Sequence, residues 1–437
     1  MDYDLVVVGG GPAGVGAAFS AAKLGLRVAI IERHNMLGGN WTNGYVLSIL
    51  GIYTYSGKTK IVGGIADEII DRLKRVSGTA GKIGNFVPFR PEEMKLILEE
   101  MSKELEIDKY YSSLVTGVEM SSGSITGVNV TGKNGTVKVA GKVFVDSSGD
   151  ADVAYLAQLG VMNGMIGTGA HQDATLPFRI AGIDEKKVLE HAKLRPDEVG
   201  AVIDENGNLS RVRITSKLIE TAKKENRLYL PFANSEFLFN TSKRGEFVCN
   251  ATHVHVRNFA DGAEIAKMIE DARRQVLSSL DFLTRHVEGF ESAYLVDSAP
   301  YIGLRETRRA EGEYVLTKLD VMNNARFEDA VVRCGHPIEV HDPEKGIYYV
   351  HSSDDDSWYE IPYRAIVVKG VKNLFAVGRC LSAEFEAQAS ARVSGTALGM
   401  GQAAATAASI MIMRGINAMD VNTEELQSKL RENGAIL

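Results

Sequence analysis

The sequence predicts an α/β protein: one domain built on a buried strand–helix–strand unit, interrupted by an inserted domain of mixed α+β character. Three observations predict it. Residues 3–9 form an apolar run ending in glycines, followed by a helical pattern at 14–25 and a second apolar run at 27–32. From about residue 165 to 300 the texture changes to short strand-like stretches mixed with helices. A strand at 374–378 and a long uncharged helix then restore the texture of the start. The 437 residues therefore divide into a first part of the nucleotide domain (1–160), an inserted substrate or cap domain (161–365) and a return with terminal helices (366–437). That length suits about two or three domains.

The elements follow in order. Helical patterns cover 64–77 and 91–105, the second entered through Pro91 at a helix-starting position. Residues 113–145 are β-branched runs broken by Gly and Ser-Gly, which reads as a small meander. Residues 152–159 read as a helix. In the inserted part, 175–180, 236–240 and 247–256 read as strands, and 215–224 and 261–286 as helices. Residues 393–413 carry no Asp, Glu, Lys or Arg and are long enough to cross a bilayer. They are rich in Gly, Ala, Ser and Thr, however, and poor in the Leu and Ile that drive insertion. A helix buried on all sides is expected, and no membrane partner. Asp354, Asp355 and Asp356 read as a solvated loop.

Composition narrows the function. The balance of 49 basic and 56 acidic residues leaves a net charge of −7, which argues against a nucleic-acid partner. The first residues lack the basic and apolar regions of a secretory signal. Cys249, Cys334 and Cys380 are far apart, with no C-x-x-C pair, so reduced thiols in a cytoplasmic protein are expected. A homo-oligomer is compatible with this composition. The 44 glycines exceed the about 31 that average usage would place in such a chain.

Part of that surplus sits in Gly9-Gly10-Gly11-Pro12-Ala13-Gly14, a G-x-G-x-x-G between a strand and a helix. Gly9 would make the tight turn, Gly11 would admit a pyrophosphate, and Gly14 would let helix and strand pack closely. The helix start, with Pro12 and Ala13, offers N–H groups to the phosphates. Glu32, with Arg33 after it, ends the second strand where a carboxylate can accept from ribose hydroxyls. That acid would repel a 2′-phosphate, so NADP is not expected. By spacing alone, NAD and FAD both remain open.

Three later segments bear on that choice. Leu37-Gly38-Gly39-Asn40-Trp41-Thr42 follows the acid, Asp146-Ser147-Ser148-Gly149-Asp150 ends a strand, and Asn373-Leu374-Phe375-Ala376-Val377-Gly378-Arg379 stands near the C-terminus. In this order the chain resembles the glutathione-reductase-type FAD fold. The resemblance narrows through Arg305-Glu306-Thr307-Arg308-Arg309, Gly378-Arg379-Cys380-Leu381-Ser382-Ala383 and Arg392-Val393 with Gly401-Gln402. These stretches are similar to the FAD-dependent oxidoreductase family, which includes the flavin core of heterodisulfide reductase and is related to fumarate reductase flavoproteins. The resemblance implies a flavoprotein oxidoreductase with FAD in a Rossmann-type domain. It implies that Gly38, Gly39 and Asn40 pass near the flavin, Ser148 and Gly149 near the adenosine, and Gly378 and Arg379 near the ribitol. The chain lacks iron–sulfur cysteines and a second dinucleotide fingerprint. It also lacks a His in the Gly-Gly segment, so noncovalent FAD is expected.

Flavin chemistry asks the protein to place a substrate, to handle a proton and to stabilise charge on the reduced ring. For the last, the expected elements are Arg392 and the start of the uncharged helix at Gly395, Thr396 and Ala397. Arg305, with Arg308 second, is the expected partner of a substrate carboxylate, because a guanidinium fork matches it. His336 and His341 are the expected proton-transfer groups. His171 is a further cavity candidate, and His253 and His255 are expected on one strand face. No metal site is expected. The expectation is hydride transfer between flavin N5 and a small polar substrate, with an unidentified electron acceptor. Two other classes are an FAD subunit that passes electrons only to a partner protein, and a flavin enzyme that modifies RNA. The acidic balance counts against the second.

Overall fold

The computed structural model describes residues 2–77, 82–204, 207–231, 235–351 and 354–437. Seven strands make the first sheet: β1 (Asp2–Val8), β2 (Val28–Ile31), β3 (Asp108–Tyr110), β4 (Leu114–Ser121), β5 (Ser124–Gly132), β6 (Gly135–Asp146) and β7 (Leu374–Ala376). Their order is β3-β2-β1-β6-β5-β4, with β7 also paired to β6. Pairs β3–β2, β2–β1, β1–β6 and β6–β7 are parallel, whereas β4, β5 and β6 form an antiparallel meander. β6 serves both patterns: Thr136–Ala140 face β5, while Ala140–Asp146 run beside β1.

The apolar run of β1 is explained by cover on both faces. Leu5 and Val7 point into the core under helix α1 (Pro12–Lys23), and Val6 and Val8 into the core under the meander. α1 is itself backed by the long uncharged helix. A Cβ on Gly16 would overlap the Leu398 carbonyl oxygen, and one on Gly401 would overlap the Ala13 carbonyl oxygen. Among the described residues this helix alone is long and apolar enough to cross a membrane, and it is buried along nearly its whole length. Its small residues are there because backbone meets backbone.

The inserted part carries a six-stranded antiparallel sheet. Its order is Val199–Ile203, Leu209–Ile214, Glu236–Asn240, Glu246–Asn250, Phe178–Ala181 and Tyr294–Ser298. Helix α2 (Gly262–His286) covers one face, started by Asp261, whose side chain accepts from the Ala263 and Glu264 N–H groups. Four expectations need correction. The strand expected at 247–256 ends at Asn250, because the Thr252 hydroxyl takes the Leu176 N–H at 2.7 Å and turns the chain into a loop. Beyond it Val254 makes an isolated bridge to Ala174, and His253 and His255 flank that bridge with both rings toward Asp173. The helix expected at 152–159 ends at Leu156, and the strand expected at 374–378 ends at Ala376, before Gly378 turns at φ +69°. The strand expected at 175–180 begins at Phe178. Asp354 and Asp355 are exposed as expected of a solvated loop, and Asp356 beside them accepts from Thr54 (2.5 Å), Ser56 (2.8 Å) and Thr59 (3.0 Å).

One buried group in the second sheet sets a pH dependence. Glu236 is fully buried, Oε1 accepts from the Ser279 hydroxyl of α2 at 2.9 Å, and Oε2 has no partner among the described residues. Burial pushes its pKa up to about 7. A carboxyl raised on folding lends stability that is complete below its unfolded pKa and is lost as pH rises toward the folded one. Between pH 5 and pH 8 wild type is expected to lose about 2–3 kcal/mol relative to Glu236→Gln. Urea denaturation of both proteins at the two pH values checks this; parallel pH profiles would refute the charge state assigned to Glu236.

Candidate active site

The carboxyl ends of four parallel strands meet at one edge. Val8 stands level with Ile31 on one side and Asp146 on the other, and Ala376 stands level with Asp146. A cleft follows this edge and continues under the second sheet. Such an edge is where open α/β sheets bind ligands.

At the first end, Gly9 turns at φ +100° with its N–H on the Ile31 carbonyl at 2.8 Å. A Cβ there would overlap the Ser147 carbonyl oxygen. Gly11 behaves differently. A Cβ on it would meet only the Gly39 Cα, 4.0 Å away, and would project into open space beside the cleft. α1 begins here with Pro12 and without a side-chain cap, which leaves its first N–H groups for an anion. Glu32 is buried, and its carboxylate accepts from the N–H groups of Gly10 (2.6 Å) and His34 (2.9 Å). It clasps the glycine turn and keeps lone pairs for a ribose. A long molecule with a pyrophosphate and a ribose fits this cradle.

Farther along, Arg33 and Arg379 converge on Asp150 at 3.2 and 2.9 Å. Burial would raise the Asp150 carboxyl, but Arg379 and Arg33 hold it below its ordinary value. Thr307 ties the same carboxylate (2.8 Å) and accepts from Arg379 (3.0 Å), which fixes the chain leaving the second sheet against the first.

Under the second sheet lies a cluster of charge. Arg305 is buried, donates to the Asp173 carbonyl oxygen at 2.5 Å and approaches Asn250 Oδ1 at 3.4 Å. Among the described residues it makes no ion pair, and burial with the neighbouring charge of Arg392 pushes it down to about 10. Arg392 likewise has no ion pair, and its Nε is buried without a partner. Glu339 accepts from His341 Nε2 at 2.9 Å and stands 3.7 Å from His336 Nε2. Burial would raise Glu339, but the two histidines and Arg392 hold it well below the usual carboxylate range. Burial, then the charge of Arg305, keeps His341 far below its ordinary value. His341 is therefore neutral, its proton on Nε2 because an ionised carboxylate only accepts. Its Nδ1 has no partner among the described residues. His336 donates from Nδ1 to the Pro337 carbonyl at 2.9 Å.

Of the residues expected from the sequence, Gly9, Gly11, Pro12, Ala13, Glu32, Arg33, Gly39, Asn40, Ser148, Gly149, Gly378, Arg379, Arg392 and Ala397 border the cleft, as do Arg305, His336 and His341. Four stand behind it. Gly14 lies against the Gly9 carbonyl, Gly38 against Thr42, Gly395 against Gly51 and Ile52, and Thr396 donates to the Arg333 carbonyl. Arg308 is no substrate arginine, because it is held by Asp152 (2.6 Å), the Asp150 carbonyl and the Tyr155 ring. His171 is buried outside the cleft against Glu306 at 2.7 Å, and Glu306 also pairs with buried Arg309. His253 and His255 both reach Asp173, at 3.6 and 2.6 Å. Sequence reasoning did not single out Glu339 by itself, nor Tyr349, Arg211, Phe237 and Phe239, all of which border the cleft. The aromatic residues two apart at 237 and 239 were the available signal, since a strand sends both to one face.

A model of the FAD-dependent oxidoreductase family matches residues 4–430. The soluble pyridine nucleotide transhydrogenase of Hahella chejuensis is 61% identical over 41 residues, 9% of each chain, and that of Ectopseudomonas mendocina is 52% identical over 42 residues, 10% of this chain and 9% of the relative. The matches thus span about a tenth of the length of these relatives. A flavin-dependent brominase structure superposes with a TM-score of 0.50 at 11% identity, covering 99% of this chain and 83% of the other. A geranylgeranyl bacteriochlorophyll reductase-like protein from Thermoplasma acidophilum gives 0.48 at 15% identity, covering 99% and 83%.

Proposed function

The chain belongs to the FAD-dependent oxidoreductase family and uses FAD, and from that premise we propose that it oxidises or reduces a small organic carboxylate bound between Arg305, Arg392 and His341. FAD, held without a covalent bond in this reading, supplies hydride transfer when bound. Its pyrophosphate belongs on Gly11 and the start of α1, its ribose at Glu32, and its flavin between Gly39, Gly378 and Ala397.

The observation that carries the reading is a pair of arginines bordering the cleft, Arg305 buried and Arg392 half-buried, that make no ion pair among the described residues although the charge of Glu339 reaches both. Arg305 and Arg392 raise each other's cost of burial, and a substrate carboxylate relieves both. The chain's own carboxylate in this cluster, Glu339, is engaged by His341. That bond orients the imidazole and stabilises it when it is protonated, so His341 Nδ1 is the atom that takes or returns the substrate's proton.

Anaerobic mixing of the FAD-loaded protein with small carboxylic acids and their uncharged amides tests this. Acids alone are expected to bleach or shift the flavin band. Arg305→Met and Arg392→Met should each weaken acid binding by about 10–100-fold, the worth of a charge-assisted hydrogen bond. Amides that act as well as acids, or unchanged affinity in both variants, would remove the carboxylate from the reading.

A further inference from the structure

The second sheet turns a specific surface to the cleft. Strand Glu236–Asn240 alternates, with Glu236, Leu238 and Asn240 buried, while Phe237 and Phe239 are half-buried. Both rings border the cleft and lie parallel to within 22°, with centroids 6.4 Å apart. Phe86 meets Phe239 edge-on at 6.2 Å. Cross-strand partners extend the floor: Arg211 and Val248 flank Phe239, and Arg213 and Asn250 flank Phe237. Asn250 is also the side chain that Arg305 approaches, so the aromatic floor runs up to the arginine pair.

Arg211 adds a polar mark. Its guanidinium carbon stands 5.8 Å from the Phe239 ring centre, and its Nε is buried without a hydrogen-bond partner among the described residues. The Tyr349 phenol lies within the field of both Arg305 and Arg211. The Arg213 guanidinium carbon stands 5.4 Å from the Phe237 ring centre, so each ring has a guanidinium beside it, and the two rings link the positive poles at Arg211 and at Arg305. An aliphatic acid would satisfy one pole and leave the rings uncovered. A flat ring on Phe237 and Phe239 gains the preference of aromatic pairs beyond burial.

We propose that the substrate is an aromatic acid, its carboxylate on Arg305 and Arg392 and its ring on Phe237 and Phe239, with Arg211 over the ring edge. The proposal rests on the carboxylate reading above and adds the body of the molecule. The FAD-loaded protein is titrated with benzoate, cinnamate, cyclohexanecarboxylate, hexanoate and benzyl alcohol, with the flavin band and melting temperature as readouts. Benzoate or cinnamate is expected to bind about 5–10-fold tighter than cyclohexanecarboxylate, as an aromatic pair allows. Phe237→Leu with Phe239→Leu should erase that ratio and keep the preference for acids over benzyl alcohol. Arg211→Met should weaken the aryl acids more than hexanoate. Equal binding of all acids overturns the aromatic body and leaves the carboxylate reading standing. Benzyl alcohol binding as tightly as benzoate, still dependent on the two rings, removes the carboxylate and overturns the aromatic acid as a class. No binding by any probe overturns both. Should the double variant fail to retain flavin, the wild-type ratio of benzoate to cyclohexanecarboxylate decides.

Discussion

A Gly11→Leu variant is expected to fold and to purify without the yellow of bound flavin. The side chain has room on the protein side, since only the Gly39 Cα stands within 4.0 Å of its Cβ. Its remaining atoms enter the cradle meant for the pyrophosphate. A roughly thousandfold loss of FAD affinity corresponds to ~4 kcal/mol. Wild type with FAD at about 100–1,000 times its dissociation constant gains about 3–4 kcal/mol from that binding, and the variant forgoes it. Its melting temperature should therefore match that of flavin-free wild type and stay unmoved by added FAD. Gly9→Ala makes the contrast. Its φ of +100° and the overlap with the Ser147 carbonyl place the damage in the turn itself, so flavin-free stability falls as well. Full flavin content in Gly11→Leu would refute the cradle.

The second large effect lies behind the cleft. Glu306→Ala strands the buried Arg309 guanidinium and leaves His171 without its acceptor. Removing one partner of a buried pair costs about 3–5 kcal/mol, far more than the 0–1 kcal/mol of a surface pair. Arg309 keeps its hydrogen bonds to the Ala383 and Gly164 carbonyls, which holds the loss within that range. Converting both residues, Glu306→Met with Arg309→Met, should restore most of the stability, because no buried charge then remains. Chemical denaturation reads the three proteins directly. A single variant within 1 kcal/mol of wild type would show that the charge is not confined.

The nucleotide end of the site was legible in the sequence because its chemistry is backbone chemistry. Gly9, Gly11 and Gly14 must be glycines for reasons of space and φ, and their spacing states those reasons before any contact is seen. Glu32 was legible as an acid at a strand end, but its clasp on the Gly10 N–H was not, since that bond depends on how the turn folds back. The long uncharged helix was legible as buried; its partner α1 was not. The substrate end was legible only in part. Arg305 and Arg308 are three residues apart with the same side chain, yet one enters the cleft and the other is held by Asp152 and Tyr155. That difference is made by distant residues, which local pattern does not carry. His253 and His255 show the same limit: a β-like run stopped where a single Thr252 hydroxyl captured a neighbouring backbone.

The position of β7 also bears on how the protein is made. β1, α1 and β6 leave the ribosome early, but the strand beside β6 and the helix against Gly16 arrive only with Leu374–Ala376 and Ser394–Arg414. Until then the first sheet has a bare edge and α1 has a bare glycine face, while the antiparallel sheet between them is already complete in sequence. Domains fold as units during synthesis, at ~5–20 residues per second. The inserted domain can therefore finish while the flavin domain waits, so the cofactor fold is the first begun and the last closed. A nascent chain arrested before Leu374 lacks the strand that pairs with β6 and the helix that backs α1, and with them Gly378, Arg379 and Ala397 of the cleft.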